Sequence, residues 1–325
     1  MARRIFRFIS LLAAFLLLLG AGLLAWAVSH FNAPGPGPES QVVFPRGAGL
    51  NAIAERLGRA GVIARPDVFV LGVRIMNKGR ALKAGEYSFP ARATPRQVLD
   101  ILIKGQTVVR KLTLAEGLTT RQVLDLVAAA EGLEADLPRP PPEGVLLPET
   151  YHYALGDSRA ALIARMAAAM QRTLAELWPG RLPGLPLASP RQALILASIV
   201  EKESGLDEER RHIAGVFINR LRRGMRLQSD PTVVYALTAG RGPLERRLSR
   251  ADLERPHPYN TYLVKGLPPG PIANPGRASL EAVLRPLATE DLYFVADGTG
   301  GHAFASTLDQ HNRNVARWRK LRDKK

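Results

Sequence analysis

An uncharged run from Phe8 to Val28 opens the pattern of the chain. At about 1.5 Å of rise per residue, it forms a helix that spans roughly one bilayer core. Asn32 to Ser40 (NAPGPGPES) then reads as a Pro/Gly linker, poor in apolar residues and stiff enough to act as a spacer. Gln41-Val42-Val43-Phe44 predicts a strand, and Leu50, Ile53, Ala54 and Leu57 recur at helical spacing between Gly49 and Gly58.

A local repeat follows: Thr94-Pro95-Arg96-Gln97-Val98-Leu99-Asp100 returns as Thr119-Thr120-Arg121-Gln122-Val123-Leu124-Asp125. Each copy has a Thr where a helix N-cap is wanted, then apolar residues one turn apart. Strand-like runs precede both copies, Gly85 to Phe89 and Val108 to Leu114. These units predict a small α+β module over residues 41–105, serving as a packing unit or as a carbohydrate-binding element. Proline-rich breaks at Pro138 to Pro148 and Trp178 to Pro190 bracket an Ala-rich helix, Arg159 to Leu177, whose Leu162, Met166, Ala169 and Met170 form a core-facing stripe.

Arg3, Arg4 and Arg7 precede the apolar run, and no Lys or Arg follows it until Arg46. By the positive-inside bias the N-terminus is expected to stay cytoplasmic and the rest to be exported. A cleaved signal peptide is the alternative, because Ala25-Trp26-Ala27 has a small-x-small pattern; cleavable apolar regions are usually about 7–15 residues, shorter than this one. The net charge of +16 points to an anionic partner. For an exported chain that means lipid headgroups and cell wall, with no nucleic acid partner. There are no cysteines, which excludes disulfides, thiol catalysis and zinc-thiolate sites.

The segment richest in chemistry is Ser189-Pro-Arg-Gln-Ala-Leu-Ile-Leu-Ala-Ser-Ile-Val-Glu-Lys-Glu-Ser-Gly205. Ser189 suits an N-cap, Pro190 a first helical position and Gly205 a C-terminal cap. Ala193 to Val200 carries no charge on any face, so the helix is expected to be buried all round. It ends on Glu201 and Glu203, where the helix dipole disfavours an ionised carboxylate and burial acts the same way. Both effects suit a general acid working near neutrality. The competing reading is two solvated glutamates paired with Lys202, Arg210 or Arg211. GxSxG, SxxK, GxxxxGK[ST] and HExxH patterns are absent, and the six histidines show no metal-ligand spacing, so neither a metal nor a cofactor is expected. Polar and aromatic clusters in loop-like sequence suit a glycan groove: Glu149 and Tyr151; Asn219 and Arg220; Gln228, Ser229 and Asp230; Tyr259, Asn260 and Tyr262; and Asn274 in a Pro/Gly-rich turn run. Each alone is also explicable as turn chemistry.

ILASIVEKES, VFINRLRRGMRLQSDPTVVYAL, PYNTYLVKGLPPGPIANPG and LYFVADGTGGHAF resemble successive signature blocks of the endolytic murein transglycosylase (YceG-like) family. VVFPRGAGLNAIAERL and the apolar run are similar to its N-terminal half. The resemblance implies an α+β chain: anchor at 1–30, linker at 31–40, LysM-like module at 41–105 and a mixed α/β catalytic domain at 106–325. It also implies cleavage of the MurNAc–GlcNAc β-1,4 bond in nascent peptidoglycan at the outer, periplasmic face of the inner membrane, beside peptidoglycan synthases. In goose-type lysozymes and soluble lytic transglycosylases the acid ends a buried helix and precedes Ser. Glu203-Ser204 matches that pair, which makes Glu203 the expected catalytic residue and Glu201 the supporting one. The other readings are a non-catalytic wall-binding scaffold, and a hydrolytic muramidase pairing Glu203 with Glu149 or Asp230.

Overall fold

The computed structural model describes residues 2–322, with side chains from Phe6 onward. The chain divides into two compact units, residues 1–110 with 154–156, and residues 111–153 with 157–325.

The first unit begins with α1 (Ala2–Asn32), whose stretch Phe6–Asn32 is long and apolar enough to cross a membrane. Strand β1 (Ser40–Phe44), helices α2 (Leu50–Arg59) and α3 (Pro66–Ile75), and strand β2 (Gly85–Phe89) follow. The strands pair antiparallel, from Ser40 opposite Phe89 to Phe44 opposite Gly85. The alternation of β1 sends Val42 and Phe44 inward and leaves Gln41 and Val43 outside, as a period of two requires. Phe44, Leu57, Phe69, Tyr87 and Phe89 fill the core beneath the helices. Helix α4 (Pro95–Lys104) closes the unit; Thr94 is its N-cap, as the repeat predicts, and Gln97 adds the reciprocal bond of a capping box.

The Pro/Gly segment does not stand free as a spacer. The Gly35 N–H donates to the Ala93 carbonyl at 3.1 Å, and a Cβ on Gly35 would lie 2.1 Å from the Val62 carbonyl oxygen. Phe31 is buried in the same core. Close packing therefore explains the glycine better than flexibility does.

Beyond β3 (Arg110–Thr113), the second unit holds α5 (Thr120–Ala129), β4 (Leu133–Glu134), β5 (Thr150–Tyr153), β6 (Asp157–Ser158) and α6 (Arg159–Leu177). It continues with α7 (Pro190–Glu203), α8 (Arg210–Arg222), α9 (Asp230–Thr238), α10 (Arg250–Leu253) and α11 (Arg277–Leu284). The hairpin β7 (Tyr293–Ala296) and β8 (His302–Ala305) and helix α12 (Leu308–Arg322) complete it. The second copy of the repeat also caps its helix, Thr119 and Gln122 forming the box on α5. Helix α7 is the axis of this unit: α11 and α8 pack on it, and every side chain from Ala193 to Val200 is buried. The chain is thus a mixed α/β protein with small two-stranded sheets.

Candidate active site

Helix α7 delivers its last residue, Glu203, to a cavity of about 420 Å³. Ser189 caps its start by accepting from the Gln192 N–H, with Pro190 at the first turn. Its end differs from expectation: Ser204, in extended conformation, is the C-cap, and Gly205 is not left-handed. The chain leaves the helix in extended conformation at Ser204, and Glu203 keeps the terminal position where the helix dipole opposes a negative charge.

Glu203 Oε1 accepts the Ser229 hydroxyl at 2.7 Å. The carboxyl is pushed up to about 7, chiefly by burial; the Ser229 bond pulls it down, and the charge of Asp230 pushes it up again. Asp230 in turn accepts the Tyr262 hydroxyl at 2.5 Å. Burial and that bond to a carboxylate raise the Tyr262 phenol above its usual range. Arg220 forms the opposite wall, its Nε donating to the Leu292 carbonyl at 2.6 Å and one terminal nitrogen to the Leu227 carbonyl at 2.7 Å. Gln228 completes the set from a left-handed backbone conformation, φ 52°, unusual for a residue with a Cβ.

The cavity therefore gathers Glu203, Arg220, Gln228 and Asp230 with Tyr262, while Ser229 stands behind the carboxyl. Asn219 and Arg220 lie inside helix α8, and Asp230 begins α9, so these three residues are helical where loops were expected, while Gln228 and Ser229 precede α9 in non-helical backbone. The remaining candidates serve as internal braces. Asn219 donates to the carbonyls of Thr289 and Asp291, and Asn260 to those of Leu253 and Arg255. Asn274, fully buried, accepts from the Leu146 N–H and donates to the Leu118 carbonyl. The Tyr151 hydroxyl donates to the Leu147 carbonyl, and Tyr259 packs against Tyr235 with ring centroids 4.9 Å apart and planes tilted by 44°. Glu149 is exposed and contributes its backbone carbonyl to the Leu114 N–H.

Glu201 is no solvated partner of its neighbours. Its side chain is 6% exposed, accepts the Gly276 N–H at 2.9 Å and lies 3.7 Å from Arg210. It braces the Pro/Gly-rich turn run against α7. Residues that sequence reasoning did not single out also line the cavity: Phe294, His302, His311 and Trp318. All come from the last hairpin and α12; the GGHAF stretch of the final signature block was the available pointer.

A broader groove of about 1130 Å³ adjoins the cavity, sharing Asp230 and Trp318 with it. Lys202, Tyr235, Arg246 and Arg247 lie along it. No group of three or more His, Cys, Asp or Glu suited to hold a metal occurs among the described residues.

The profile of the YceG-like family matches residues 42–317. Endolytic murein transglycosylases of Streptococcus pneumoniae (strain ATCC BAA-255 / R6) and Bacillus subtilis (strain 168) are each 31% identical to the chain, covering 85% and 83% of it. The chain spans 57% of the pneumococcal protein's length and 82% of the Bacillus protein's. A crystal structure of a yceG-like protein from Listeria monocytogenes is 32% identical, with a TM-score of 0.54 over 85% of this chain and 98% of that one. The matched span holds every block quoted from the sequence and all of the cavity lining around Glu203 except Trp318, and the chain belongs to the YceG-like family.

Proposed function

We propose that this protein is an endolytic murein transglycosylase that cuts the MurNAc–GlcNAc β-1,4 bond and leaves 1,6-anhydroMurNAc ends. The observation that carries the reading is Glu203: a single carboxyl at the end of a buried helix, raised to about 7 and facing a cavity that opens beside a long groove. Near neutrality such a group holds its proton for part of the time and can give it to the leaving GlcNAc oxygen. The carboxylate then recovers a proton as the muramyl 6-hydroxyl closes on C1. The nucleophile is tethered in the substrate, so proximity supplies part of the rate and no second carboxylate is needed. Arg220, Gln228, Asp230 and Tyr262 supply polar contacts for the sugar. The groove suits a polymer that must pass through the site, as internal cleavage demands.

The βααβ arrangement of residues 40–89 supports a LysM-like module with access to glycan. Helix α1 supports a single-pass anchor, and Arg3, Arg4 and Arg7 ahead of its uncharged run favour an inward N-terminus and a periplasmic body, where nascent strands and peptidoglycan synthases are met.

A hydrolytic muramidase is the second reading, favoured by Asp230 sharing the cavity with Glu203. Against it, Asp230 is committed to the Tyr262 hydroxyl, a poor arrangement for activating water. Mass spectrometry of purified glycan strands after incubation separates the readings. Anhydro-muramyl ends support the transglycosylase, reducing ends support the muramidase, and intact strands support a non-catalytic scaffold.

A further inference from the structure

The last hairpin puts a histidine on the wall of the Glu203 cavity, with a glutamate from the turn before α8 behind it. His302 opens β8 and lines the cavity with Glu203. Its ring Nδ1 lies 2.7 Å from Oε2 of Glu209, and its backbone N–H donates to Oε1 of the same carboxylate at 2.8 Å. Both side chains are largely buried, 15% and 17% exposed. Gly301 makes this approach possible, because a Cβ there would lie 2.6 Å from Glu209 Oε1. Phe294 meets the imidazole edge-on at 5.3 Å and helps to fix its plane.

A carboxylate facing Nδ1 selects the tautomer in which Nδ1 carries the hydrogen. The lone pair then sits on Nε2, which makes no hydrogen bond among the described residues, on a side chain that lines the cavity. His302 is also near enough to Glu203 for a positive charge on the imidazole to pull that carboxyl down. An oriented, carboxylate-backed imidazole beside a catalytic acid is built to accept a proton from bound substrate.

We propose that His302, oriented by Glu209, is a second catalytic residue of the cleavage, and that its Nε2 accepts the proton of the attacking muramyl 6-hydroxyl. The inference rests on the reading of Glu203 as the acid. The O6–C1 bond forms as the C1–O4 bond breaks. The Glu203 proton goes to O4 of the leaving sugar, and the O6 proton goes to His302 Nε2. Glu209 stabilises the imidazolium until it returns that proton to the Glu203 carboxylate. Both residues are then restored and no water is consumed.

The test compares His302→Asn and Glu209→Gln with the wild-type full-length protein on purified glycan strands. Asn keeps an amide N–H near the Nδ1 position for Glu209 and removes Nε2. A positioned proton acceptor is worth roughly 10²–10⁴-fold. His302→Asn is therefore expected to lower kcat about 100-fold or more, with KM within threefold and an unchanged melting temperature. Glu209→Gln, which favours the opposite tautomer, is expected to lower kcat at least tenfold. His302→Ala is expected to recover activity when imidazole is added, a rescue that a structural role does not give. A His302→Asn enzyme with kcat within threefold of wild type overturns the inference, as does a loss carried by KM or an absence of rescue. Failure of the parent reading looks different: the wild-type protein itself then yields no anhydro ends.

Discussion

Ser229 donates its hydroxyl hydrogen to Glu203 Oε1 from a position that is itself pinned on two sides. Its backbone N–H donates to Thr261 Oγ1 at 3.0 Å, and its carbonyl accepts the Thr232 hydroxyl at 2.6 Å. Thr232 and Thr261 are fully buried and bonded to each other at 2.8 Å. The serine is thus a fixed dipole aimed at one carboxyl oxygen, and it favours the ionised form of Glu203.

Removing that dipole has a signed consequence. Ser229→Ala is expected to raise the apparent pKa of Glu203 above about 7 and shift the alkaline limb of kcat/KM to higher pH. The pH–rate profile checks this, and a limb that stays in place or moves to lower pH contradicts it.

Glu203→Gln is expected to abolish cleavage while keeping the fold, and to change stability in a pH-dependent way. The folded-state pKa lies near 7, above the ordinary 4.5, so between those values the folded protein holds a proton that the unfolded chain releases. Stability therefore falls as pH rises through that window and stays reduced above it, by on the order of 3 kcal/mol. The variant lacks this penalty. Denaturant unfolding at pH 5 and pH 8 is expected to show it matching wild type at the lower pH and exceeding it at the higher.

Glu201→Gln separates the two glutamates. Glu201 braces the Gly276 N–H and Arg210 and does not line the cavity. Loss of its charge is expected to cost about 1–3 kcal/mol of stability, with kcat of the folded fraction within severalfold of wild type. Thermal melts with active-fraction titration measure both.

Asn274→Ala strips the bonds to Leu146 and Leu118 from a fully buried site. A loss of about 1–3 kcal/mol is expected, because the buried Leu146 N–H is left without a partner while the Leu118 carbonyl keeps the backbone N–H of residue 274. KM is expected to stay unchanged, whereas a sugar-binding asparagine would raise it without a comparable fall in melting temperature.

Truncation tests the packed Pro/Gly segment. A chain beginning at residue 41 lacks buried Phe31, the Gly35–Ala93 bond and the first pair of β1. Its first unit is expected to be less stable than that of a chain beginning at residue 30, by about 2 kcal/mol from the phenylalanine alone. Hydrogen exchange over residues 40–89 reads the difference.

Helix α7 was legible because its signals are local: a Ser-Pro start, an uncharged middle and two carboxylates at the end. The paired Thr N-caps of the repeat were legible for the same reason, although the reciprocal bonds from Gln97 and Gln122 were not foreseen. The roles of the polar clusters were not. Asn260 and Asn274 look like sugar ligands by type, yet what they bind depends on which loop carbonyls the tertiary fold leaves unpaired. The Glu209–His302 contact joins residues 93 positions apart, so no spacing announces it. Helix α12 buries no residue fully, and its apolar pattern is too weak to mark it, although Trp318 from this helix reaches the cavity rim.

The anchoring of Phe31 and Gly35 bears on mechanics. Helix α1 ends with its final aromatic set into the core of the first unit, and the backbone that follows is bonded down at once. There is no slack between them. Once α1 lies in a bilayer, a tilt or spin of that helix is transmitted to the βααβ body as torque, where a loose cord would absorb it. On the reading of α1 as an anchor, the first unit would be carried on a stiff mast, and its heading over the membrane surface would follow that of the helix below.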